Sequence, residues 1–357
     1  MNALATRIAE LIAADGPLSV AQYMTICLHD PQAGAYAARH TIGRDYITSP
    51  EISQTFGELL GLWVVQAWHN QDRPGGCRLV ELGPGRGTLM SDALRAIKAA
   101  APEFLDDAEV VLVESSPLLE SAQREKLKAC GADVSWVARY DESLAGRPLY
   151  LLANEFFDCL PVRQFVKTER GWCERVVSVV DDHLAFALAP VPFTGVPGDR
   201  ADAPDGGTYE VSPSALALTE EIARAVSTKG GGALIIDYGY DAPGFGETLQ
   251  ALARGQYIDV LAEPGDSDLS AHVDFMGLTA AAQEGGAAVY GPVTQCNFLA
   301  NLGIGPRAKR LMKANPLQAR DIATAVDRLV NPGQMGALFK AIAFGPKDGP
   351  GLPGFAA

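Results

Sequence analysis

The chain has 357 residues, a length that allows a large core and more than one domain. It is 48% hydrophobic and 20% charged, a composition typical of soluble globular proteins. The net charge of −14 disfavours nucleic acid as a general partner, because binding to phosphates requires a positive face. No apolar run approaches the roughly 18 residues of a membrane span, so we expect no membrane span.

Residues 1 to about 75 are predicted to be mainly helical. In MNALATRIAELIAADG the apolar residues follow helical spacing, and Gly16-Pro17 ends the helix. Acidic residues interrupt this segment, so it does not resemble a signal peptide. A stronger helix is predicted in TFGELLGLWVVQAWHN, shortly after Pro50-Glu51. We interpret residues 1–75 as an N-terminal helical cap.

From residue 76 onwards, short apolar strands alternate with amphipathic helices. The strands are CRLVEL, EVVLVE, DVSWVA and LYLLAN, followed by GGALIIDYGY, AAVYGPV and ALFKAIAF. Such alternation is typical of a parallel sheet with helices on both faces. The sequence therefore predicts an α/β core over residues 76–346, with a seven-stranded, Rossmann-like sheet.

Two insertions and a tail are predicted around this sheet. Alternation in twos indicates a β insertion at about residues 162–207, and helical spacing indicates a helical insertion at about residues 296–332. The tail, residues 347–357, is rich in proline and glycine and is predicted to be disordered.

The six cysteines are scattered along the chain. They form neither a Cys-x-x-Cys pair nor a cysteine–histidine cluster with zinc spacing. This usage indicates reduced thiols, a cytoplasmic protein and no metal site.

A glycine-rich loop follows the first strand of the sheet, in LVELGPGRGTL. Glycines at 83, 85 and 87 allow backbone to approach a ligand closely, and this loop is the usual nucleotide site of doubly wound folds. A dinucleotide fingerprint has a third glycine where this chain has Thr88. Glu81 would repel a pyrophosphate but suits the positive amino acid part of S-adenosyl-L-methionine (SAM). We therefore predict SAM, bound by Glu81, Gly83, Gly85, Gly87 and Thr88; NAD and a ligand-free turn are the alternatives.

The second strand of the sheet ends in Glu114, followed by Ser115. A carboxylate at this place accepts hydrogen bonds from ribose hydroxyls, each worth about 1.5–3 kcal/mol against an unmade bond. We predict that Glu114 and Ser115 bind the cofactor. Glu114 does not distinguish SAM from NAD, because both contain a ribose.

The fourth strand ends abruptly in polar residues, in LLANEFFDCLP. Ligands of such sheets bind beyond the carboxyl ends of the strands, which places Asn154 and Glu155 at the predicted site. Asn154 is predicted both to bind the cofactor and to orient the acceptor. The alternatives are a turn residue for Asn154 and a solvated loop for Glu155 and Asp158.

Seven segments together resemble the MidA-type SAM-dependent methyltransferases, a family that includes a mitochondrial complex I assembly factor with protein-arginine methyltransferase activity. They are HDPQAGAY, DYITSPEISQTFGELLGLW, VELGPGRGTL, LLANEFFDCLPVRQF, YEVSP, LIIDYGY and DLSAHVDF. The resemblance implies a class I methyltransferase core, SAM as cofactor, and an arginine acceptor on a respiratory complex I subunit. GRDYITSP is shorter than the usual family segment before Asp45. An arginine-rich transit peptide is missing, which favours a bacterial member.

An arginine acceptor would require help from carboxylates, because a guanidinium has a pKa above about 12 and no free lone pair. Carboxylates that hold it in two places localise its charge and accept its proton. Glu155 and Asp158 are the candidates, with Glu51 as a third.

Further candidates lie in the fifth strand and after it. His272 is a candidate catalytic residue, with Asp274 beside it, although a lone histidine is more often structural. Tyr238 is a candidate for the acceptor channel, and Asp237 for holding the site together. A SAM-binding scaffold without catalysis and a dehydrogenase remain alternatives, and the sequence leaves a homodimer open.

Overall fold

The computed structural model describes residues 2–38, 47–196, 203–242 and 244–355. The segment before Asp45 lies outside these residues, as does part of the proline-rich end of the β insertion. The helices are α1 Ala3–Asp15, α2 Val20–His29, α3 Ala35–Ala38, α4 Ser49–Ile52, α5 Gln54–Asn70, α6 Thr88–Ala100, α7 Pro102–Leu105, α8 Pro117–Leu127, α9 Pro213–Lys229, α10 Phe275–Glu284, α11 Gln295–Asn301, α12 Ile304–Ala314, α13 Ala319–Val330 and α14 Met335–Leu338. The strands are β1 Leu18–Ser19, β2 Arg78–Leu82, β3 Glu109–Val113, β4 Val134–Val137, β5 Leu149–Asn154, β6 Arg163–Thr168, β7 Gly171–Val180, β8 His183–Pro192, β9 Thr208–Val211, β10 Gly231–Tyr240, β11 Gln250–Ala253, β12 Gln256–Ile258, β13 Asp268–Ser270, β14 Val273–Asp274, β15 Ala288–Thr294 and β16 Phe339–Gly345.

The chain divides into two compact units, each built from three separate segments. The first unit comprises Met1–Tyr46, Asp158–Leu216 and Ala242–Asp274. The second unit comprises Ile47–Phe157, Ala217–Asp241 and Phe275–Ala357. This division differs from the predicted cap over residues 1–75 and the single core after it.

The second unit contains all seven predicted strands, which neighbour one another in the order β4-β3-β2-β5-β10-β16-β15. Strands β4, β3, β2, β5 and β10 are parallel, whereas β16 runs antiparallel to both β10 and β15. Every residue of β2, β5 and β16 is buried, as expected for strands covered on both faces. The predicted α/β fold class is confirmed.

The strand register brings the predicted site residues to one edge of this sheet. Leu82 at the end of β2 pairs with Val113 of β3 and Ala153 of β5. Asn154, the next residue of β5, pairs with Ile236 of β10. The glycine loop after β2, Glu114 after β3 and Glu155 after β5 therefore leave the sheet at the same edge, where ligands of open α/β sheets bind.

Helix α5 belongs to the second unit because it packs closely on α6. A Cβ atom at Gly57 would lie 2.7 Å from Cβ of Asp92, and one at Gly61 would lie 2.5 Å from the Ala93 carbonyl oxygen. Only glycine allows the two helices to approach so closely. The sequence predicts α5 but not this packing, which is why the predicted boundary at residue 75 is replaced.

The first unit is built on an antiparallel sheet in the order β1-β7-β6-β9, with β8 paired to β7. The strands β6, β7 and β8 lie in the predicted β insertion, and the N-terminal strand β1 pairs with β7. Helices α1 and α2 cover this unit's core, where Ile8, Tyr23 and Met24 are fully buried. The insertion and the N-terminal helices thus share one hydrophobic core.

The described part of the C-terminal tail packs on the second unit. Leu352 is buried, the Trp63 indole Nε1 donates to the Pro353 carbonyl at 3.1 Å, and the rings of Phe355 and Phe298 lie 5.1 Å apart. The tail was predicted to be disordered from its proline and glycine content. That prediction overlooked its two apolar residues, Leu352 and Phe355, which find hydrophobic partners.

All six cysteines lie within the described residues and are free thiols. In the described ranges, no helix has both the length and the apolar character needed to cross a bilayer. The same ranges contain no cluster of three or more histidine, cysteine or acidic side chains arranged to hold a metal ion.

Candidate functional site

The loop between β2 and α6 has a backbone that requires glycine. Gly83, Gly85 and Gly87 have φ values of 60°, 54° and 77°, in the left-handed region that other residues avoid. A Cβ atom at Gly83 would lie 2.6 Å from Cδ2 of the Phe156 ring. The loop is therefore held in an open, left-handed form with no side chains on its glycines, directly before the N-terminus of α6.

Glu81, the second-last residue of β2, is a buried acid with one oxygen that lacks a hydrogen-bond partner. Its side chain is 3% exposed, and Oε2 has no hydrogen-bond partner in the described part of the chain. Burial, followed by the nearby charge of Glu114, raises the pKa of the Glu81 carboxyl to about 8. Buried polar atoms are almost always paired, so an unmet carboxylate oxygen indicates a place for a ligand donor.

Glu114 is fixed by two hydrogen bonds after the end of β3. Its Oε1 accepts from the Ser116 backbone N–H at 2.7 Å, and its Oε2 accepts from Gln123 Nε2 at 3.0 Å. Burial raises the pKa of this carboxyl, and these hydrogen bonds oppose the rise. Glu114 is therefore oriented before any ligand arrives. The neighbouring Ser115 is exposed.

Gln123 of α8 is a residue of the candidate site that the sequence does not predict. Its side chain is fully buried, and Nε2 donates both to Glu114 and to the Gly85 carbonyl at 2.7 Å. The Trp136 indole in turn donates to Gln123 Oε1 at 2.8 Å. Gln123 thus connects the glycine loop to Glu114. A single glutamine on an amphipathic helix gives no signal in the sequence, since only the tertiary contacts distinguish it.

Glu51 of α4 lies beside the start of α6. The Thr88 hydroxyl donates to Glu51 Oε1, and Lys126 of α8 donates to the same hydroxyl. The guanidinium of Arg86 lies 3.9 Å from Glu51 Oε2. The structure thus places Glu51 and Thr88 in one polar cluster at the glycine loop.

Asn154 and Glu155 form a second polar cluster, after β5. Asn154 Nδ2 donates to Glu155 Oε1 at 2.9 Å, whereas the buried Asn154 Oδ1 has no partner in the described chain. Glu155 Oε1 also accepts from the Ser49 backbone N–H at 2.8 Å. Burial raises the pKa of the Glu155 carboxyl, opposed by Ser49, Asn154 and the charge of Arg328. Glu155 has φ 52°, a strained backbone that is common at functional sites.

Asp237, near the end of β10, holds the turn that follows β5. It is fully buried, and its Oδ2 accepts from the backbone N–H groups of Phe156 and Phe157 at 3.1 and 2.9 Å. Its Oδ1 accepts from the Tyr238 N–H at 2.9 Å. Three backbone donors thus meet this carboxylate, which fixes the turn carrying Glu155.

Two predicted residues, Asp158 and His272, belong to the first unit and not to the second. The Asp158 carbonyl accepts from the Ala271 N–H at 2.9 Å, so the two residues lie along neighbouring stretches of chain. The His272 N–H donates to the Thr248 hydroxyl at 2.9 Å. The structure therefore brings the site residues together as two sets, with Glu51, Glu81, Glu114, Asn154 and Glu155 in the second unit.

The second-unit residues fit SAM. The ammonium group of SAM requires a carboxylate, and Glu81 offers one whose Oε2 has no hydrogen-bond partner in the described chain. Its ribose requires an acceptor, and Glu114 is already oriented by Ser116 and Gln123. For SAM to approach the protein backbone closely, the loop must lack bulky side chains, and the glycines at 83, 85 and 87 meet this requirement.

The sequence matches a known protein family. Residues 59–293 match the family described as "putative S-adenosyl-L-methionine-dependent methyltransferase". This range covers more than half of the chain and includes the glycine loop, Glu114 and Glu155.

Curated relatives match almost the whole chain. The human protein "Protein arginine methyltransferase NDUFAF7, mitochondrial" is 38% identical over 94% of this chain and 81% of its own length. Its homolog in Drosophila melanogaster is 35% identical over 97% of this chain and 85% of its own length.

A solved structure matches the whole fold. A superfamily member from Burkholderia thailandensis, crystallised bound to S-adenosyl-homocysteine (SAH), has a TM-score of 0.85 and 30% sequence identity. The match covers 99% of this chain and 94% of the crystallised one. A native crystal structure of a protein from the same superfamily and organism gives a TM-score of 0.83.

Proposed function

The chain belongs to this family of SAM-dependent methyltransferases, and on that premise we propose that it methylates an arginine side chain of a protein. The family resemblance and the cofactor predicted from the sequence are confirmed, and SAM rather than NAD is the cofactor. The observation that carries the arginine proposal is Glu155, a carboxyl on a strained backbone at the sheet edge where the parallel strands end, held by hydrogen bonds from Ser49 and Asn154.

The cofactor is proposed to be bound by residues at the carboxyl ends of β2 and β3. Glu81 accepts from the ammonium group, Glu114 accepts from the ribose hydroxyls, and the glycine loop gives the cofactor close access to the backbone. When bound, SAM supplies an electrophilic methyl group on a positively charged sulfur. Thr88 and Ser115 complete the proposed cofactor site.

Glu155 is proposed to bind the arginine that receives the methyl group and to accept the proton which that arginine loses. One of its oxygens already receives hydrogen bonds from Ser49 and Asn154, so the other is left to face a guanidinium. A carboxylate in that position localises the guanidinium charge and restores a lone pair on the opposite nitrogen. Its raised pKa makes Glu155 a better proton acceptor than an ordinary glutamate.

Asn154 is the proposed orienting residue. Its Nδ2 is occupied by Glu155, while its buried Oδ1 is unmet. That oxygen is available to accept a hydrogen bond from the acceptor nitrogen and so to align it. Alignment of reacting groups supplies as much as about 7–11 kcal/mol of a barrier. Asp158, Glu51 and His272 remain secondary candidates for the acceptor side.

The acceptor is proposed to lie in a respiratory complex I subunit or a related protein of a bacterial cytoplasm. Support comes from the resemblance to the MidA-type family and from relatives described as mitochondrial protein arginine methyltransferases.

The test compares wild type with Glu155→Gln, using radiolabelled SAM and a lysate of cells that lack the enzyme. We expect Glu155→Gln to keep its affinity for SAH in calorimetry and to lose about 10²–10⁴-fold in methyl transfer. Glu125→Gln, on the exposed side of α8, is the matched control and should transfer label at the wild-type rate. The labelled residue is identified by mass spectrometry.

Three outcomes separate the alternatives. Label on a residue other than arginine would overturn the arginine assignment, and an active Glu155→Gln would remove Glu155 from the mechanism. SAM binding without any label would support the non-catalytic scaffold.

A further inference from the structure

The helical insertion carries a charge opposite to that of the rest of the chain. The chain has 43 acidic against 29 basic residues, yet no aspartate or glutamate lies between Glu284 and Asp321. Five basic residues lie in that stretch: Arg307, Lys309, Arg310, Lys313 and Arg320. The rest of the insertion, up to residue 332, adds Arg328, Asp321 and Asp327, so the insertion keeps a net charge of +4 on a protein with a net charge of −14.

One of these five residues has a structural role and the others do not. Arg307 Nε donates to Oε2 of the buried Glu58 at 2.8 Å, which attaches α12 to α5. By contrast, Lys309, Arg310 and Lys313 are exposed, and none forms an ion pair with a described residue. Their spacing of one, three and four residues places them on one face of α12. This face is what we call the basic face.

The turn that follows α12 adds an apolar contact. Leu317, between α12 and α13, is fully exposed, at the tip of the helical hairpin. A single exposed leucine is common on protein surfaces and by itself indicates nothing. Leu317 follows Lys313 of the basic face by four residues, so it offers a partner an apolar contact in addition to the charges.

The hairpin is connected to the proposed acceptor site through α4. Helix α13 packs against α4, which carries Ser49 and Glu51. Ser49 donates to Glu155, and the charge of Arg328 on α13 acts on the same carboxyl. Packed elements, α12 on α13 and α13 on α4, thus join the hairpin to the residue proposed to hold the acceptor arginine.

We propose that the basic face of α12 binds an acidic segment of the protein substrate, close in its sequence to the arginine that is methylated. The inference rests on the proposed function, because it assigns the partner of that same site. The charges are complementary in both places, since Glu155 would face the acceptor arginine and the basic face would face the acids around it. Elsewhere the protein's net negative charge repels an acidic partner, so the patch also fixes orientation.

An acidic protein segment fits this face better than a nucleic acid or an anionic membrane does. Those ligands present extended negative charge, and the remainder of this protein would be repelled by it. A short acidic segment requires only the few charges that α12 presents. Binding through exposed charges is also expected to weaken as salt is added.

The test uses three fluorescein-labelled peptides of equal length, with SAH present. The first has a central arginine flanked by aspartate and glutamate, the second replaces those acids by asparagine and glutamine, and the third keeps the acids and replaces arginine by norleucine. Fluorescence anisotropy measures their binding to the full chain at about 50 and 200 mM salt.

We expect wild type to bind the two acidic peptides at least about tenfold more tightly than the neutral one at low salt, with the difference shrinking at high salt. The triple variant Lys309→Glu/Arg310→Glu/Lys313→Glu should lose this preference and keep its affinity for SAH. The matched control, Arg139→Glu/Lys229→Glu/Lys347→Glu, changes the net charge equally at exposed places outside the insertion and should keep the preference.

Equal binding of the acidic peptides by the two triple variants would overturn the proposal. Stronger binding of phosphatidylglycerol vesicles than of any peptide would overturn it in favour of a membrane surface. If the norleucine peptide keeps the acidic preference while none of the peptides is methylated in a parallel assay with radiolabelled SAM in place of SAH, the docking surface stands and the arginine assignment fails. The two proposals therefore fail separately.

Discussion

A carboxyl group is buried near the end of β2 and another near the end of β10, and the two differ in their hydrogen-bond partners. Asp237 of β10 is fully buried and accepts from three backbone N–H groups of its own fold. Glu81 of β2 is almost as deeply buried, yet one of its oxygens meets nothing in the described chain and its pKa is raised to about 8.

The contrast separates a structural acid from an acid that is proposed to bind a ligand. Asp237 is paired by the fold, so its cost of burial is offset before any ligand binds. Glu81 lacks this compensation at Oε2, and a donor on the proposed ligand would supply it. Burial alone distinguishes neither residue, and the hydrogen-bond partners distinguish both.

The largest expected effect is on folding, from Asp237→Ala. Loss of the carboxylate leaves three backbone donors without an acceptor, so the free energy of unfolding should fall by about 2–5 kcal/mol. Urea unfolding followed by tryptophan fluorescence measures this change. Asp241→Ala, at an exposed position just after β10, is the control and should cost under about 0.5 kcal/mol. Equal stability of both variants would break the contrast between the two acids.

Next in size is the effect of Glu81→Gln on ligand binding. The neutral amide cannot balance an ammonium group, so the dissociation constant for SAH should rise about 10–100-fold, matching a charged hydrogen bond of about 1.5–3 kcal/mol. The free energy of unfolding should not fall, because an uncompensated buried acid is removed. Calorimetry and urea unfolding give the two numbers, with the exposed Glu103→Gln as control. Unchanged SAH affinity would remove Glu81 from the cofactor site.

The raised pKa of Glu81 gives stability and affinity opposite pH dependences. The folded, ligand-free protein holds the Glu81 proton up to pH about 8, whereas an ordinary glutamate releases it near 4.5. Stability of the ligand-free protein should therefore fall as pH rises between these values, by about 1.4 kcal/mol per pH unit at most. SAH affinity should rise over the upper part of the same window, because the ligand selects the ionised carboxylate. Subtracting the profile of Glu81→Gln isolates this group from Glu114 and Glu155, and identical profiles would contradict the assignment.

The smallest effect comes from a pair of glycines that differ only in their surroundings. Gly83 and Gly76 have φ values of 60° and 62°, so alanine costs each about 1 kcal/mol in backbone strain. An added Cβ at Gly76 would meet nothing within 4 Å, whereas at Gly83 it would meet the Phe156 ring. Gly83→Ala should therefore weaken SAH binding several-fold beyond Gly76→Ala in calorimetry. Equal affinities would show that the ring moves freely and that the open loop is not required.

Much of the sheet and of the cofactor site follows from short stretches of sequence. Strand β2, its glycines and Glu81 lie within ten residues, and β3 with Glu114 within six more, so apolar runs and glycine spacing are enough to find them. Features that depend on distant segments give no such signal. Gln123 is one, because its partners come from the glycine loop and from β4.

Domain organisation is the other feature that local patterns miss. The sequence places α5 in an N-terminal cap, yet Gly57 and Gly61 bring it against α6 of the second unit. The same patterns place Glu155 and Asp158 in one motif, although the division between the two units falls between Phe157 and Asp158. Contact between helices and membership in a core are properties of the packed chain, and periodicity within one segment does not record them.

The sequence by itself determined the family, the α/β sheet, the cofactor and the glycine loop proposed to bind it, because each is encoded in consecutive residues with a defined spacing. The tertiary structure alone decided which buried acids are satisfied and which are not. Glu81 and Asp237 are both acids at strand ends in the sequence, and their difference arises only from the backbone donors that folding brings to one of them.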